Sequence, residues 1–160
     1  MLKVLKFLGL GLIVLLAAFT MFMMTGQIPD SKAVTGAKLP GSAISDLREA
    51  GIVSENEEII YFYSEDLFSF VDYGNLYTNE RVISYELDED TGERNIYTAK
   101  YDIITDIKMT ESTSLIEDSV VEIYVNGELE FSLLVSAESN GDDRFYKKLL
   151  EKWKAKNKDI

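Results

Sequence analysis

The residues that could do chemistry in this 160-residue chain are almost all carboxylates. The sequence contains 28 acidic residues, no histidine and no cysteine. It therefore lacks the commonest general base, the commonest transition-metal ligand and the thiolate nucleophile. With so many acids, close carboxylate pairs arise by chance and identify no acid–base site, and the serines have no histidine to activate them. We expect no enzyme activity, no catalytic residues and no residues that bind a cofactor or a metal.

One acidic run, Asp88 to Glu93, invites interpretation as a calcium loop. An EF-hand loop needs glycine at its sixth position and a helix on each side. Gly92 is fifth when counted from Asp88, and the surrounding pattern does not predict helices. The run is typical of a solvated hairpin turn, and the later Ser139–Asp143 segment is typical of a loop that leads into a helix cap.

The net charge is strongly negative and unevenly distributed. Two of the sixteen basic residues and none of the acids lie in residues 1–26, so residues 27–160 carry fourteen basic and twenty-eight acidic residues, a net charge of −14. Such a surface repels phosphate backbones and anionic headgroups, so we expect no nucleic-acid partner. The alternative is that the charge serves only to keep the domain soluble.

The N-terminal segment has the composition of a transmembrane helix. Lys3 and Lys6 precede an uncharged apolar run, residues 7–24. As a helix the longer uncharged stretch, residues 7–27, spans roughly 30 Å, about one hydrocarbon core. A cleaved signal peptide is the alternative, but its apolar region is typically only about 7–15 residues long and ends in a small-x-small site, which this sequence does not show. We predict a signal-anchor helix over residues 1–26.

The position of the lysines predicts the orientation of this helix. Lys3 and Lys6 lie close to its N-terminal end, whereas Lys32 and Lys38 lie further from the other end. Positive charge close to the helix faces the cytoplasm. We therefore expect a single-pass protein of the cell membrane whose C-terminal domain is extracytoplasmic.

Residues 27–54 form a tether and a short helix in this prediction. Both prolines and several small residues lie within residues 26–41, as is usual in a linker. Ser42 is expected to cap a packing helix that Gly51 ends. The apolar stripe of this helix comprises Ile44, Leu47 and Ala50.

From residue 57 onward the apolar pattern has period two, which predicts short β-strands. Two alternating runs flank Asn126-Gly127, the strongest short-range signal of a β-hairpin. The predicted strands before this hairpin are Ile59–Tyr63, Asn75–Thr78, Arg81–Leu87, Asn95–Lys100 and Ile103–Met109.

The period changes to that of an amphipathic helix over residues 142–156. Phe145, Leu149 and Trp153 share one stripe, and Asp142 and Asp143 lie at its N-terminal end, where the helix dipole favours negative charge. We expect Trp153 to be buried.

Seven aromatic residues between positions 61 and 77 could line a pocket for an apolar ligand. The interpretation we favour is that they fill a small β-core. They are Tyr61, Phe62, Tyr63, Phe68, Phe70, Tyr73 and Tyr77.

The order of these elements, short antiparallel strands followed by one C-terminal helix, resembles the pleckstrin-homology-like superfold. The segment Gly74–Tyr85 is similar to a hairpin of bacterial pleckstrin-homology and GRAM-type domains, and Ile103–Ile107 is similar to the strand that follows it. The resemblance implies a mainly β (α+β) domain over residues 55–158. Its fold would be a partly open antiparallel β-barrel of about six or seven strands, capped by the C-terminal α-helix.

The resemblance also implies binding rather than catalysis, because such domains bind lipids, peptides or proteins. Members that bind phosphoinositides carry lysine and arginine in the first hairpin, whereas Ser64–Gly74 has acidic residues and no basic one. Phosphoinositide binding is therefore not expected.

The predicted function is a single-pass, membrane-anchored, non-enzymatic interaction module with a protein or peptide partner. Peptide-binding relatives would use the groove between the last helix and an edge strand. The alternative is a secreted or periplasmic protein that binds a small ligand and is released by signal-peptide cleavage. A hydrolase that depends on carboxylates is a third, weaker hypothesis.

Overall fold

The computed structural model describes residues 32–66, 69–113 and 117–157. The predicted membrane anchor, residues 1–26, lies outside these ranges, and no helix within them is long and apolar enough to cross a membrane. In chain order the elements are β1 (Val34–Thr35), a 3₁₀ turn (Gly36–Lys38), α1 (Gly41–Glu49), β2 (Ile59–Tyr63), β3 (Tyr73–Thr78), β4 (Arg81–Leu87), β5 (Arg94–Lys100), β6 (Ile104–Thr110), β7 (Ser119–Val125), β8 (Glu128–Val135), a second 3₁₀ turn (Glu138–Asn140) and α2 (Gly141–Asn157).

The strands form two antiparallel sheets rather than one continuous barrel. The first sheet has the order β1-β2-β3-β4-β5, and the second has the order β6-β7-β8. Every pairing joins neighbours in sequence, and two-residue turns connect β3 to β4 and β7 to β8 directly. The predicted mainly β domain with a C-terminal helix is confirmed. Instead of one partly open barrel of about six or seven strands, the described ranges contain eight strands in two sheets that do not close into a barrel.

The inner core lies between the two sheets and α2. Alternate residues of the first sheet point into it, Tyr77 and Val82 among them, and meet Ile123 and Leu133 of the second sheet. Phe145 of α2 packs edge-on against the ring of Tyr77, with the ring centroids 5.0 Å apart. Such edge-to-face pairs stabilise a core by about 0.5–1.5 kcal/mol beyond the area they bury.

A second core covers the opposite face of the five-stranded sheet. Leu47 of α1 is completely buried there, together with Leu76 and Ile83, which alternate with the inner-core residues along β3 and β4. The short helix is therefore a packing helix, as predicted. From Ala33 onward, the stretch assigned to a tether and a short helix is in contact with the β-domain.

The two ends of α1 differ in how well they were predicted. Gly51 has φ of +71°. Its amide donates to Arg48 O, and the Ile52 amide donates to Leu47 O, a Schellman ending that favours glycine at this position. The expectation that Ser42 caps the helix was wrong: Pro40 is the residue before the first turn, and no side chain caps it.

The Asn126-Gly127 turn and the C-terminal helix were predicted closely. Asn126 and Gly127 have φ of 54° and 83°, as a tight hairpin turn with two left-handed residues requires. The helix predicted over residues 142–156 begins at Gly141 and ends at Asn157.

Candidate interaction surfaces

The groove expected to bind a peptide lies between α2 and the edge strand β6. The Tyr146 hydroxyl donates to Ile107 O at 3.2 Å, and the Trp153 indole donates to Ile104 O at 3.1 Å. These carbonyl oxygens face away from β7, and they are the groups that an added strand would need. The helix itself therefore occupies much of this edge.

Trp153 is only half-buried, so the expectation that it is buried is met only in part. It packs against the margin of the inner core, while Phe145 and Leu149 on the same stripe are completely buried. The hydrogen bond to Ile104 explains the position, because an indole N–H at a core margin needs an acceptor.

The acidic run Asp88–Glu93 forms the turn between β4 and β5, as predicted. The Asp88 carboxylate accepts hydrogen bonds from the backbone amides of Asp90 and Thr91, at 2.9 and 3.0 Å. Gly92 has φ of +71°, which closes the turn. Within the ranges that the structure describes, no group of three or more acidic side chains is arranged to hold a metal ion.

The aromatic residues fill the two cores rather than a pocket. Five of the seven are buried, Tyr73 is half-buried, and Phe68 lies outside the described residues. A cleft of about 350 Å³ does open between the first 3₁₀ turn, α1 and the loop before β2, but Ile44, Arg48 and Glu55 line it, and none of these aromatics does. The buried five are Tyr61, Phe62, Tyr63, Phe70 and Tyr77.

Glu57 and Arg81 form an ion pair in which the carboxylate is buried. The two arginine nitrogens lie 2.8 and 2.9 Å from the two carboxylate oxygens, and Thr78 and the Ser54 amide also donate to Glu57. Burial alone would raise the pKa of Glu57, but the hydrogen bonds and the charge of Arg81 hold it at about 2. Each carboxylate oxygen of Glu57 accepts two hydrogen bonds, and Arg81 also donates to Ile52 O, so this pair joins the end of α1 to the β3–β4 turn and is a structural feature.

Comparison of the whole architecture with solved structures decides the fold. The chain is similar to a DUF1696 family protein with a pleckstrin-homology domain from Shewanella loihica PV-4, with a TM-score of 0.51 and 17% identity over 78% of this chain and 98% of that chain. This chain has a pleckstrin-homology-like fold. A pleckstrin homology domain from Shewanella amazonensis SB2B is also similar, with a TM-score of 0.46 and 18% identity over 71% of this chain and 96% of that chain. No family model and no curated protein sequence matches the chain.

The first hairpin loop of this pleckstrin-homology-like domain joins β2 to β3 and is acidic. Beside it, Tyr63 donates a hydrogen bond of 2.7 Å to Asp118. Partial desolvation and the neighbouring Asp118 raise the pKa of Glu65. The guanidinium closest to the loop, that of Arg94, donates to Val71 O at 2.7 Å and is turned into the loop backbone. The described part of this loop therefore presents carboxylates where a phosphate-binding member would present cations.

Sequence reasoning left one feature of the pleckstrin-homology-like domain unnoticed, the exposed apolar side chains on β5, in the turn after it and on β8. Ile96, Tyr97 and Ile103 are 37%, 45% and 48% exposed, and Leu129 on β8 is 52% exposed. The alternation in Asn95–Lys100 predicted the strand correctly. It could not show that the strand forms the end of a sheet, which leaves Ile96 and Tyr97 partly in solvent.

Proposed function

We propose that this chain is a single-pass, membrane-anchored interaction module that binds a protein segment and catalyses no reaction. The observation that carries the proposal is the pleckstrin-homology-like fold of residues 32–157, because such domains are binding modules in general. The apolar run of residues 7–24 supports the membrane anchor, and the two lysines before it support an extracytoplasmic domain.

A protein partner is favoured over a lipid headgroup by the charge of the domain. The first hairpin loop presents carboxylates, and residues 27–160 carry a net charge of −14. Anionic headgroups are repelled by such a surface, whereas a basic protein segment is attracted. The attraction weakens with salt, since exposed charges are screened beyond about 8 Å at physiological ionic strength.

Two experiments test the proposal. If residues 1–26 anchor the chain, the full-length protein resists extraction from membranes by alkaline carbonate. N-terminal sequencing should then show that the extracted protein still carries residues 1–26. A processed, freely soluble species would instead support a released binding protein.

Vesicles that contain phosphoinositides or cardiolipin should show no binding to the domain at physiological salt. Binding to them would mean that the partner is a lipid.

A further inference from the structure

The four sheet edges of this domain are not equally protected. Natural proteins blunt edge strands with short length, bulges, charges or a covering element, because an open edge pairs with other chains. β1 has only two residues, which makes that edge short. β6 has a register shift between Ile104 and Asp106, charged residues, and the side chains of α2 on its carbonyls. β8 carries polar residues at three exposed positions, Glu128, Glu130 and Ser132. In addition, Asn75 of the other sheet donates a hydrogen bond to Leu134 O.

Among the residues that the structure describes, the edge formed by β5, residues 94–100, shows none of these devices in its centre. Residues 95–99 contain no charge, no proline and no glycine, and the strand pairs with β4 through all seven residues without a bulge. Four consecutive residues of this strand are exposed, and Ile96 and Tyr97 are among them. An exposed, regular and apolar edge is a template for an added strand.

The register shows which backbone groups face outward from β5. The Leu87 amide donates to Asp72 O on the β3 side of β4. Backbone groups alternate along a strand, so Glu86 and Ser84 face β5, where they pair with Asn95 and Tyr97. Consequently Ile96 and Thr98 direct their amides and carbonyls toward the open edge. These are the main-chain groups available to a partner.

Charge differs between the two ends of this edge. The turn that precedes β5, residues 88–93 (the acidic turn), carries four carboxylates, and Glu89, Asp90 and Glu93 are exposed. The guanidinium of the adjacent Arg94 contacts the β2–β3 loop, where it donates to Val71 O and lies 4.0 Å from Asp72. At the opposite end, Lys100 and Lys156 line a depression of about 310 Å³ together with Glu80 and Asp102.

We infer that the β5 edge binds an extended protein segment with alternating apolar residues and with lysine or arginine at the end that lies beside the acidic turn. The inference rests on the proposed interaction function and assigns its surface and the chemistry of its partner. Main-chain hydrogen bonds from Ile96 and Thr98 would supply affinity, and the acidic turn would select basic segments.

A second copy of this chain fits the edge poorly. Full-length antiparallel pairing of two β5 strands would place Arg94 of each copy opposite Lys100 of the other. Like charges directly opposite each other destabilise a strand pair. Self-association is therefore an outcome that would contradict the inference.

The test uses the full-length chain in a non-ionic detergent and a fluorescein-labelled synthetic peptide. The peptide consists of four alternating threonine–valine pairs followed by three lysines, and a second peptide ends in three glutamates instead. Fluorescence anisotropy should show binding of the lysine peptide only. Hydrogen exchange followed by mass spectrometry should show that the bound peptide protects residues 94–100.

Two pairs of variants separate the main-chain contribution from the charge. Thr98→Pro removes an outward-facing amide, and an edge strand tolerates this change, whereas Thr98→Ala keeps the amide. The proline variant should lose binding and the alanine variant should keep it. Glu89→Lys with Asp90→Lys should weaken binding about tenfold. The matched change Glu128→Lys with Glu130→Lys, on the exposed start of β8, should leave binding within about twofold.

Several results would overturn the inference. In the binding assay they are equal binding of the glutamate peptide and unchanged binding by a folded Thr98→Pro variant. In hydrogen exchange, the contradicting result is protection of another segment, such as β6, by the peptide. Before any peptide is added, they are pairing of two copies through residues 94–100 and protection of these residues by the chain's own N-terminal residues. Binding with protection at β6 would leave the proposed interaction function intact and would move its surface. Absence of any protein partner, tested by co-purification below, would instead contradict the proposed function itself.

Discussion

At the level of single residues, the buried carboxylate of Glu57 is held by hydrogen bonds to both of its oxygens. Its side chain is 2% exposed and faces the guanidinium of Arg81. The two residues are 24 positions apart, in a loop and at the start of a strand, so no local pattern in the sequence indicates the pair. Only the pairing of β3 with β4 and the packing of α1 bring Thr78 and Arg81 to this carboxylate and Ile52 O to the guanidinium of Arg81.

The pKa of Glu57 predicts how this contribution varies with pH. The pKa falls from 4.5 to about 2 on folding, so the stabilisation is fully present above pH 4.5 and is lost as the pH falls toward 2. Glu57→Gln should lower the free energy of unfolding by about 3 kcal/mol at pH 7, because it leaves the Arg81 charge without its partner. The difference from the wild type should shrink between pH 4.5 and pH 2. Urea denaturation followed by Trp153 fluorescence measures both values.

Glu55→Gln is the matched control for this prediction. The side chain of Glu55 is 81% exposed and lies 3.8 Å from Arg48. Exposed pairs of this kind stabilise proteins by about 0–1 kcal/mol, so the control should unfold almost as the wild type does at both pH values. A Glu57 variant that behaves like this control would show that the ion pair contributes little.

At the level of elements, the sequence predicted most strands and both described α-helices, but not how the sheets are covered. Asn126-Gly127 and Gly51 act through local φ angles, which one sequence can reveal. Coverage of both faces of the first sheet depends on contacts between distant segments. One local signal did exist: Ile59–Tyr63 is an unbroken apolar run, which is typical of a strand buried on both sides.

The packing of α1 gives an element-level prediction. Leu47 is completely buried against the outer face of the first sheet. Leu47→Ala should lower the free energy of unfolding by about 2–5 kcal/mol, as large-to-small changes in a core do. Ser45→Ala, on the exposed side of the same helix, should change it by less than about 0.5 kcal/mol. If both substitutions changed the free energy of unfolding by the same small amount, α1 would not unfold cooperatively with the rest of the domain.

At the level of the whole molecule, the fold predicted from the order of elements is confirmed and the membrane anchor stays a prediction. The order of strands and one C-terminal helix was informative because the antiparallel pairings all join sequence neighbours. The binding edge could not be predicted in the same way. Which strand ends a sheet, and whether another element covers it, is decided by the arrangement of the whole chain.

Orientation in the membrane can be tested in a chain that has no cysteine of its own. The acidic turn is exposed, and Glu89 is a better position for a single introduced cysteine than Gly92, whose φ of +71° disfavours a side chain. Glu89→Cys should react with a membrane-impermeant maleimide in intact cells, after outer-membrane permeabilisation where an outer membrane exists. Labelling only after lysis would place the domain in the cytoplasm.

The central claim, that this is an interaction module for a protein partner, is tested most directly by co-purification. The tagged full-length chain would be isolated from detergent extract and its partners quantified by mass spectrometry, with Glu89→Lys/Asp90→Lys and Glu128→Lys/Glu130→Lys as paired variants. The account predicts a protein with an extended basic segment that copurifies with the wild type and the β8 control and is depleted in the acidic-turn variant. Recovery of no specific protein, or of lipid alone, would contradict the account.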